Sequence, residues 1–241
     1  MTVHPSKSTL PQSPNALLAS LRPADFELLR PRLRCIEMAH AKVLAAADER
    51  LTHAYFPHDG IISLVVSLAA GQTVEAAMIG RDSVYGGSAA LDGGIAVNDA
   101  IVQLPGTATI IEVADLRKAS ELSAAFRTTL IRHEQAMFAQ ALQSVACNAA
   151  HSAESRLARW LLRACDLSGS DSIALTHEFL GQMLGVQRNS VSIVAHTLQQ
   201  AGFIRYFRGH IEITDRKGLA EGACECYATV KRRYEKLLHG D

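Results

Sequence analysis

Apolar positions follow three different rhythms along the chain. Leu17, Leu18, Leu21, Phe26, Leu28, Leu29 and Leu33 recur around a helical pattern, with Pro23-Ala24-Asp25 at a helix start. From about Cys35 to Val113 the texture becomes short apolar runs: Ala54 to Phe56, Ile61 to Leu68, Val74 to Ile79, Ala100 to Leu104 and Thr107 to Val113. Turn signals separate them at Pro57-His58-Asp59-Gly60, Gly71, Gly80-Arg81-Asp82, Asp92-Gly93-Gly94 and Pro105-Gly106. Strands at that spacing with Gly/Pro punctuation predict an all-β sandwich or roll. After Asp115 neither Gly nor Pro occurs until Gly169, and two apolar stripes run through the segment. One is Phe126, Leu130, Met137 and Ala141; the other is Ile131, Phe138, Leu142, Val145 and Ala149. A single helix carrying both covers the β-unit with one stripe and pairs with a second copy of itself through the other, in a parallel dimer. The helix breaks near His151-Ser152, a second unit begins with the helical pattern from Glu154 to Cys165, and Leu167 to Ser172 reads as a loop.

The stretch from Leu175 to Leu198 carries the most information. Thr176 stands where a helix N-cap is needed, and Glu178 adds negative charge to the first turn. Phe179, Leu180, Met183 and Leu184 form an inner face; Gly185 sits where a tight turn needs positive φ; Val191, Val194, Ala195 and Leu198 line a second helix. Two short helices joined this way predict a helix-turn-helix, whose second helix fits the DNA major groove. The outward residues of that helix are Arg188, Asn189, Ser192, Ile193 and His196. An ordinary surface helix carries Glu/Lys pairs, but here no acid occurs from Gly185 to Phe207, as an approach to phosphate requires. Downstream, Gly202 closes the helix and Arg205 to Ile213 forms two short strands around an Arg208-Gly209-His210 turn, a wing able to hold Arg208 near the DNA backbone.

With its L-T-x-x-x-L-G-x-x-L-G-V-x-R-x-S-V-S pattern from Leu175 to Ser192, followed by Gly202-Phe203-Ile204 and Ile211 to Asp215, the chain resembles the Crp/Fnr superfamily of bacterial transcription regulators. The resemblance is strongest from Arg156 to Asp215 and extends weakly through Tyr55 to Gly60 and Gly80 to Gly86. It implies an α+β architecture: an N-terminal double-stranded β-helix (jelly-roll) sensor domain, a long dimerisation helix and a C-terminal winged helix-turn-helix. On this chain the parts fall at a disordered lead-in over 1–15, the β-roll over 16–118, the helix over 119–150 and the winged helix over 151–241. It also implies a cytoplasmic homodimer on a near-palindromic double-stranded DNA site, with RNA polymerase as a partner. Arg188 matches the guanine-reading arginine of the family, whose fork suits O6 and N7. Asn189 replaces a frequent Glu and Ile193 a second Arg, so the operator should differ from the best-known half-sites. Thr176, Gln182 and Ser190 match phosphate-contacting positions; Gln187, Ser192, His196 and Arg208 complete the expected DNA-binding set.

The resemblance also bears on what the β-roll senses. Cyclic-nucleotide binders of the family carry a Gly-Glu pair and, about ten residues on, Arg-Ser-Ala; here Gly86-Gly87 and Val97-Asn98-Asp99-Ala100 stand at those places. Without the ribose acceptor and the cation, the usual cyclic-nucleotide mode is not expected, because a buried anion needs a counter-charge. The N-terminal cysteine cluster of iron–sulfur members is absent too, since only Cys35 lies before Cys147. His40, His53, His58, His133 and His151 leave haem or a metal open, and Cys147 or Cys165 near the hinge leave redox control open. No cofactor and no metal site is expected, and the effector is unassigned.

Composition sharpens this reading at three points. The 24 Lys+Arg balance 24 Asp+Glu, so any nucleic-acid contact must be a local surface rather than a global field. Residues 1–151 hold 12 basic and 14 acidic residues and residues 152–241 hold 12 and 10, with three Arg and no acid between Gly185 and Gly209. Five scattered cysteines, with Cys224 and Cys226 two apart and no second pair near them in the sequence, read as structural or surface thiols. The longest nearly uncharged run, Gly60 to Gly80, is too polar to span a membrane, and Met1 to Asn15 lacks a secretory core. No catalytic ordering of Ser/His/Asp, no paired carboxylates and no phosphate loop stands out, so an enzyme is not expected. The competing class is a small-molecule, cyclic-nucleotide, haem or redox sensor whose winged helix docks on protein.

Overall fold

The computed structural model describes residues 13–69, 71–91, 94–186 and 188–239, with the backbone alone at His177, Glu178, Gln182, Arg188 and His239. Residues 1–12 of the expected lead-in lie outside that set. Asn15, at the lead-in's end, is fully buried: it caps α1 (Ala16–Ala19) by accepting from the Leu18 amide at 3.0 Å. Its Nδ2 donates to the carbonyls of Pro57 and Ser83, both at 2.9 Å, which pins the start of the chain to the roll.

After α2 (Pro23–Leu29), seven antiparallel strands form two sheets of a β-roll. One sheet has the order β1 (Arg34–Met38), β7 (Gly106–Glu112), β3 (His53–Pro57). The other runs β2 (Val43–Ala45), β6 (Asp99–Leu104), β4 (Ile61–Ser67), β5 (Thr73–Ile79). The five apolar runs read from the sequence are β3 to β7. Strand β1 escaped that reading because it is mostly exposed and mixed in polarity, and β2 because it is only three residues long. β4 is buried on both faces: Ile62 and Leu64 point into the roll, whereas Ile61 and Val65 join a core shared with the C-terminal unit.

The helix expected over 119–150 is divided. α3 (Val113–Leu122) ends at Ser123, whose hydroxyl caps α4 (Ala124–Ala150) by accepting from the Phe126 amide at 3.1 Å. An extended residue with a capping hydroxyl ends one helix and starts another without Gly or Pro, so the break left no punctuation in the sequence. Phe126, Leu130 and Met137 of the first stripe are buried against the roll. The second stripe is open, with Phe138 67% and Val145 69% exposed. At Ser152 a second serine cap starts α5 (Ala153–Ser168), which runs further than expected into the segment read as a loop and closes on Gly169.

α5 faces two ways. Leu157, Trp160, Leu161, Leu162 and Leu167 share a buried cluster with Ile61, Val65, Met78 and Leu104 of the roll and with the whole interior of the C-terminal unit. A side chain at Gly80 would sit 2.6 Å from Leu167 Cβ, so only glycine lets the strand and helix approach this closely. One charged pair lies inside the contact. Arg163 forks onto Asp82 at 2.7 and 3.2 Å and stacks on Tyr234, with its guanidinium carbon 4.6 Å from the ring centroid. Tyr234 belongs to α9 (Cys226–His239), which follows α8 (Arg216–Gly222) and returns to pack Val230 and Tyr234 beside Ala136 and Met137 of α4.

Glu75 of β5 is the unusual member. It is buried on the outer face of the sheet, accepting from Trp160 Nε1 at 2.8 Å and from the Ser63 hydroxyl at 2.5 Å. Burial pushes its carboxyl up to about 7 from an ordinary 4.5, against the hydrogen bonds of Ser63 and Trp160 and the charge of Arg159. The folded chain therefore keeps this proton to higher pH than the unfolded chain. Its contribution to stability is present at low pH and declines as pH rises from about 4.5 to about 7. A shift of that size corresponds to about 3 kcal/mol. Glu75→Gln should flatten the dependence: denaturant unfolding at pH 5 and pH 8 is expected to show the native chain losing on the order of 1–3 kcal/mol more than the variant across that interval.

Candidate nucleic-acid interface

Helix α6 (His177–Leu184) and helix α7 (Arg188–Gln200) are joined by a turn at Gly185, which adopts φ +62°. The Val186 amide closes the turn onto the Gly181 carbonyl at 3.0 Å. Thr176 caps α6, its hydroxyl accepting from the Phe179 amide at 3.2 Å. Leu180, Met183 and Leu184 of α6 and Val191, Val194, Ala195 and Leu198 of α7 are buried together, as their spacing predicts.

That packing turns the opposite side of α7 outward. Asn189, Ser192, Ile193 and His196 are exposed, Ile193 at 68%, and Ser190 is half-buried near the start of the helix. The wing is β9 (Ile204–Phe207) and β10 (His210–Ile213), extended by β8 (Ser172–Ala174) on the far side of β10. Its two-residue turn holds Arg208 at φ +49° and Gly209 at φ +78°, the left-handed pair a tight hairpin demands. Arg208 is exposed, with its guanidinium carbon 5.0 Å from the centroid of the exposed Phe207 ring. Arg205 is instead paired with Glu212 across the hairpin. The Gln199 side chain accepts from the Tyr206 amide at 2.8 Å, which ties wing to helix.

Among known families, residues 155–221 match the Crp-like helix-turn-helix domain. This part of the chain is similar to that domain family. Over about four fifths of the chain the fold resembles that of solved Crp- and Fnr-type regulator structures. FixK2 of Bradyrhizobium japonicum superposes with a TM-score of 0.68 at 18% identity, over 80% of this chain and 98% of its own. A Crp-family transcriptional regulator of Thermus thermophilus gives 0.65 at 18%, over 78% and 96%. The c-di-GMP-responsive global regulator CLP of Xanthomonas campestris gives 0.62 at 11%, over 80% and 99%. No curated protein matches the chain in sequence.

In the Crp-like domain, Thr176, Asn189, Ser190, Ser192, Ile193 and His196 lie on or beside the outward face of the two helices, and Arg208 lies at the wing tip. Gln187 lies outside the described residues, as do the side chains of Gln182 and Arg188; the Arg188 backbone is the first residue of α7. Thr176 also borders a groove between α6 and the roll, together with His40, Val65, Thr73, Phe179 and Met183.

A cavity of about 480 Å³ lies between the roll and α4. Gly86, Val97 and Asn98, positions singled out from the cyclic-nucleotide pattern, line it beside Leu64, Tyr85, Met137 and Phe138. Besides Tyr85, its titratable lining is His133 and Glu134, and among the described residues no Lys or Arg lines it. Asp99 is engaged elsewhere, accepting from the Ala47 amide at 2.9 Å and the Ser67 hydroxyl at 3.0 Å. His133 is fully buried; its Nε2 accepts from the Val84 amide at 3.2 Å, leaving Nδ1 to donate to Glu134 at 3.3 Å. His58 bonds Thr107 and Thr109 through its two ring nitrogens, and His40 bonds the Gln103 carbonyl.

One grouping departs from the sequence reading. Cys147 and His151, four apart at the end of α4, meet Cys224 and Cys226 at the start of α9, all four ligand atoms lying within 4.8 Å of one another. The i, i+4 spacing of Cys147 and His151 was visible in the sequence, but the return of α9 that brings in Cys224 and Cys226 was not. Cys165 is buried apart from this group, where burial raises its thiol to about 12, and Cys35 is exposed.

An anionic ligand fits the cavity poorly, since a phosphate there would face Glu134 without a cation. Calorimetric titration with cyclic AMP should register no binding at micromolar concentration; saturable heat with a stoichiometry of one per chain would refute that expectation.

Proposed function

We propose that the chain is a sequence-specific DNA-binding transcriptional regulator that acts as a homodimer. The observation that carries the reading is the exposed, acid-free outer face of α7 in a Crp-like domain, flanked by a wing whose tip presents Arg208. In this reading Arg188 and Asn189 address base edges, Ile193 meets a thymine methyl, and Thr176, Gln182, Gln187, Ser190, Ser192, His196 and Arg208 contact backbone or adjacent bases. Residues 16–118 supply the sensing roll, the helix expected over 119–150 the dimer seam, and 151–241 the reading unit. RNA polymerase is the partner and the cytoplasm the compartment that this function entails.

The dimer seam is supported by the open stripe of α4. Ile131, Phe138 and Val145 repeat every seven residues, with Leu142 and Ala149 at the alternating positions, and the larger four are 43–69% exposed. Such a row left in water marks an association surface. Two copies joined there would carry two α7 helices, and related dimers read half-sites about one helical turn of DNA apart. The cavity beside the seam, apolar and free of cations, supports an effector other than a cyclic nucleotide bound in the family's usual manner.

Selection of bound sites from a random DNA pool tests the function directly, and failure to enrich any sequence would overturn it. On the selected site, Arg188→Ala should cost about 1–3 kcal/mol at one guanine of each half-site and leave the other positions unchanged. Equal preference for all four bases there in the native protein would remove Arg188 from its role. Phe138→Glu should convert the dimer to monomer in sedimentation, weakening self-association by at least about 2 kcal/mol, while circular dichroism stays native.

A further inference from the structure

We infer that Cys147, His151, Cys224 and Cys226 form a closed, four-ligand site for a single tetrahedral divalent metal ion of the zinc class. The geometry is that of a Cys3His centre. With metal–sulfur bonds of about 2.3 Å and metal–nitrogen bonds of about 2.0–2.1 Å, a tetrahedron has S···S edges of about 3.8 Å and S···N edges of about 3.6 Å. Here Cys147 Sγ lies 3.5 Å from Cys224 Sγ, and Cys226 Sγ lies 3.6 Å from His151 Nδ1. All four ligand atoms fall within 4.8 Å of one another. That spacing suits one ion. An iron–sulfur cluster places its own iron and sulfide atoms between the protein ligands and needs them farther apart.

The surroundings carry the outer hydrogen bonds that such ligands require. If Nδ1 of His151 faces the metal, its Nε2 proton points at Glu225, whose carboxylate oxygen is 3.3 Å away. That is the carboxylate–histidine–metal relay which fixes the ring and its tautomer. Gln143 Nε2 donates to Cys226 Sγ at 3.0 Å, a bond that favours the thiolate. The three sulfur atoms are sealed from solvent, with Cys147 at 0%, Cys226 at 1% and Cys224 at 8% exposure, while His151 forms the partly open side. Four protein ligands and a dry wall leave no position for water or substrate, so the site is structural rather than catalytic. Loading it releases the protons of the coordinating thiols, with the imidazole binding as the neutral ring.

The site's place in the chain gives it a purpose. Cys147 and His151 end α4, and Cys224 and Cys226 follow α8, so one ion would join the two points between which the Crp-like domain is strung. The inference stands independently of DNA binding, since it rests on the ligand geometry alone.

The full-length protein, purified with reductant, should contain one equivalent of zinc per chain by elemental analysis. Stripped and reloaded with Co²⁺, it should show thiolate-to-cobalt charge-transfer absorption and the intense visible bands of a tetrahedral site. Cys224→Ser and Cys226→Ser should each reduce bound metal to under about a tenth, Glu225→Ala should weaken affinity about tenfold, and Cys35→Ser should change nothing. Because a serine variant can unfold, Co²⁺ titration of the native chain is the deciding measurement. Absence of the charge-transfer bands, or iron with acid-labile sulfide in place of zinc, would overturn the inference.

Discussion

Trp160 is buried to 1% exposure between two units that each need it. On one side it belongs to the interior of the winged helix, in edge contact with Phe179 at 6.1 Å between ring centroids. On the other its indole N–H satisfies Glu75 of the roll. The apolar cluster around it is continuous from Ile61 and Val65 to Ile211 and Leu219, so α5 is a shared wall rather than a linker. An interface of this kind, large and hydrophobic, holds two units in a fixed relation, whereas the usual polar junction lets them move. The attitude of α7 relative to α4 follows from it.

Around that wall the polar groups determine where the units can sit. Arg163 and Asp82 are each mostly buried, and removing either would leave its partner charged in an apolar setting. Asp166, on the same helix, gathers Tyr227 at 2.8 Å and Lys231 at 3.8 Å and pairs with Arg216, fastening α8 and α9 to α5. α9 then reaches α4. The C-terminal unit is thereby attached to α4 at its beginning through the chain and at its end through packing.

The helix-turn-helix and its wing were the most legible part of the sequence. Thr176, Gly185, Gly202 and the Arg208-Gly209 turn each have a backbone requirement that few residues meet, and the inner stripes of α6 and α7 are uninterrupted. The roll was legible where strands were apolar and bounded by Gly or Pro, and lost at β1, which is mixed in polarity, and at β2, which is apolar but three residues long with no Gly or Pro beside it. The break at Ser123 was lost because a capping hydroxyl ends a helix as well as glycine does. α9 was not read from the sequence at all, and its destination beside α4 is tertiary information. For the same reason Cys224-Glu225-Cys226 looked incomplete: its counterparts lie 73 or more residues away, and only the return of α9 closes the distance.

The bare α-carbon of Gly80 has a consequence beyond close packing. Leu167 rests where any side chain at position 80 would have to be, so beside the hydrogen bond, the ion pair and the apolar cluster the two units also depend on an allowance of space. Such an allowance is asymmetric under mutation. Enlarging residue 80 would drive a wedge into the cluster that both units share, whereas trimming Leu167 would leave a gap in it. At this one point the seam between the roll and the C-terminal unit depends on a single missing methyl group, and position 80 accepts no larger residue unless Leu167 or the strand moves.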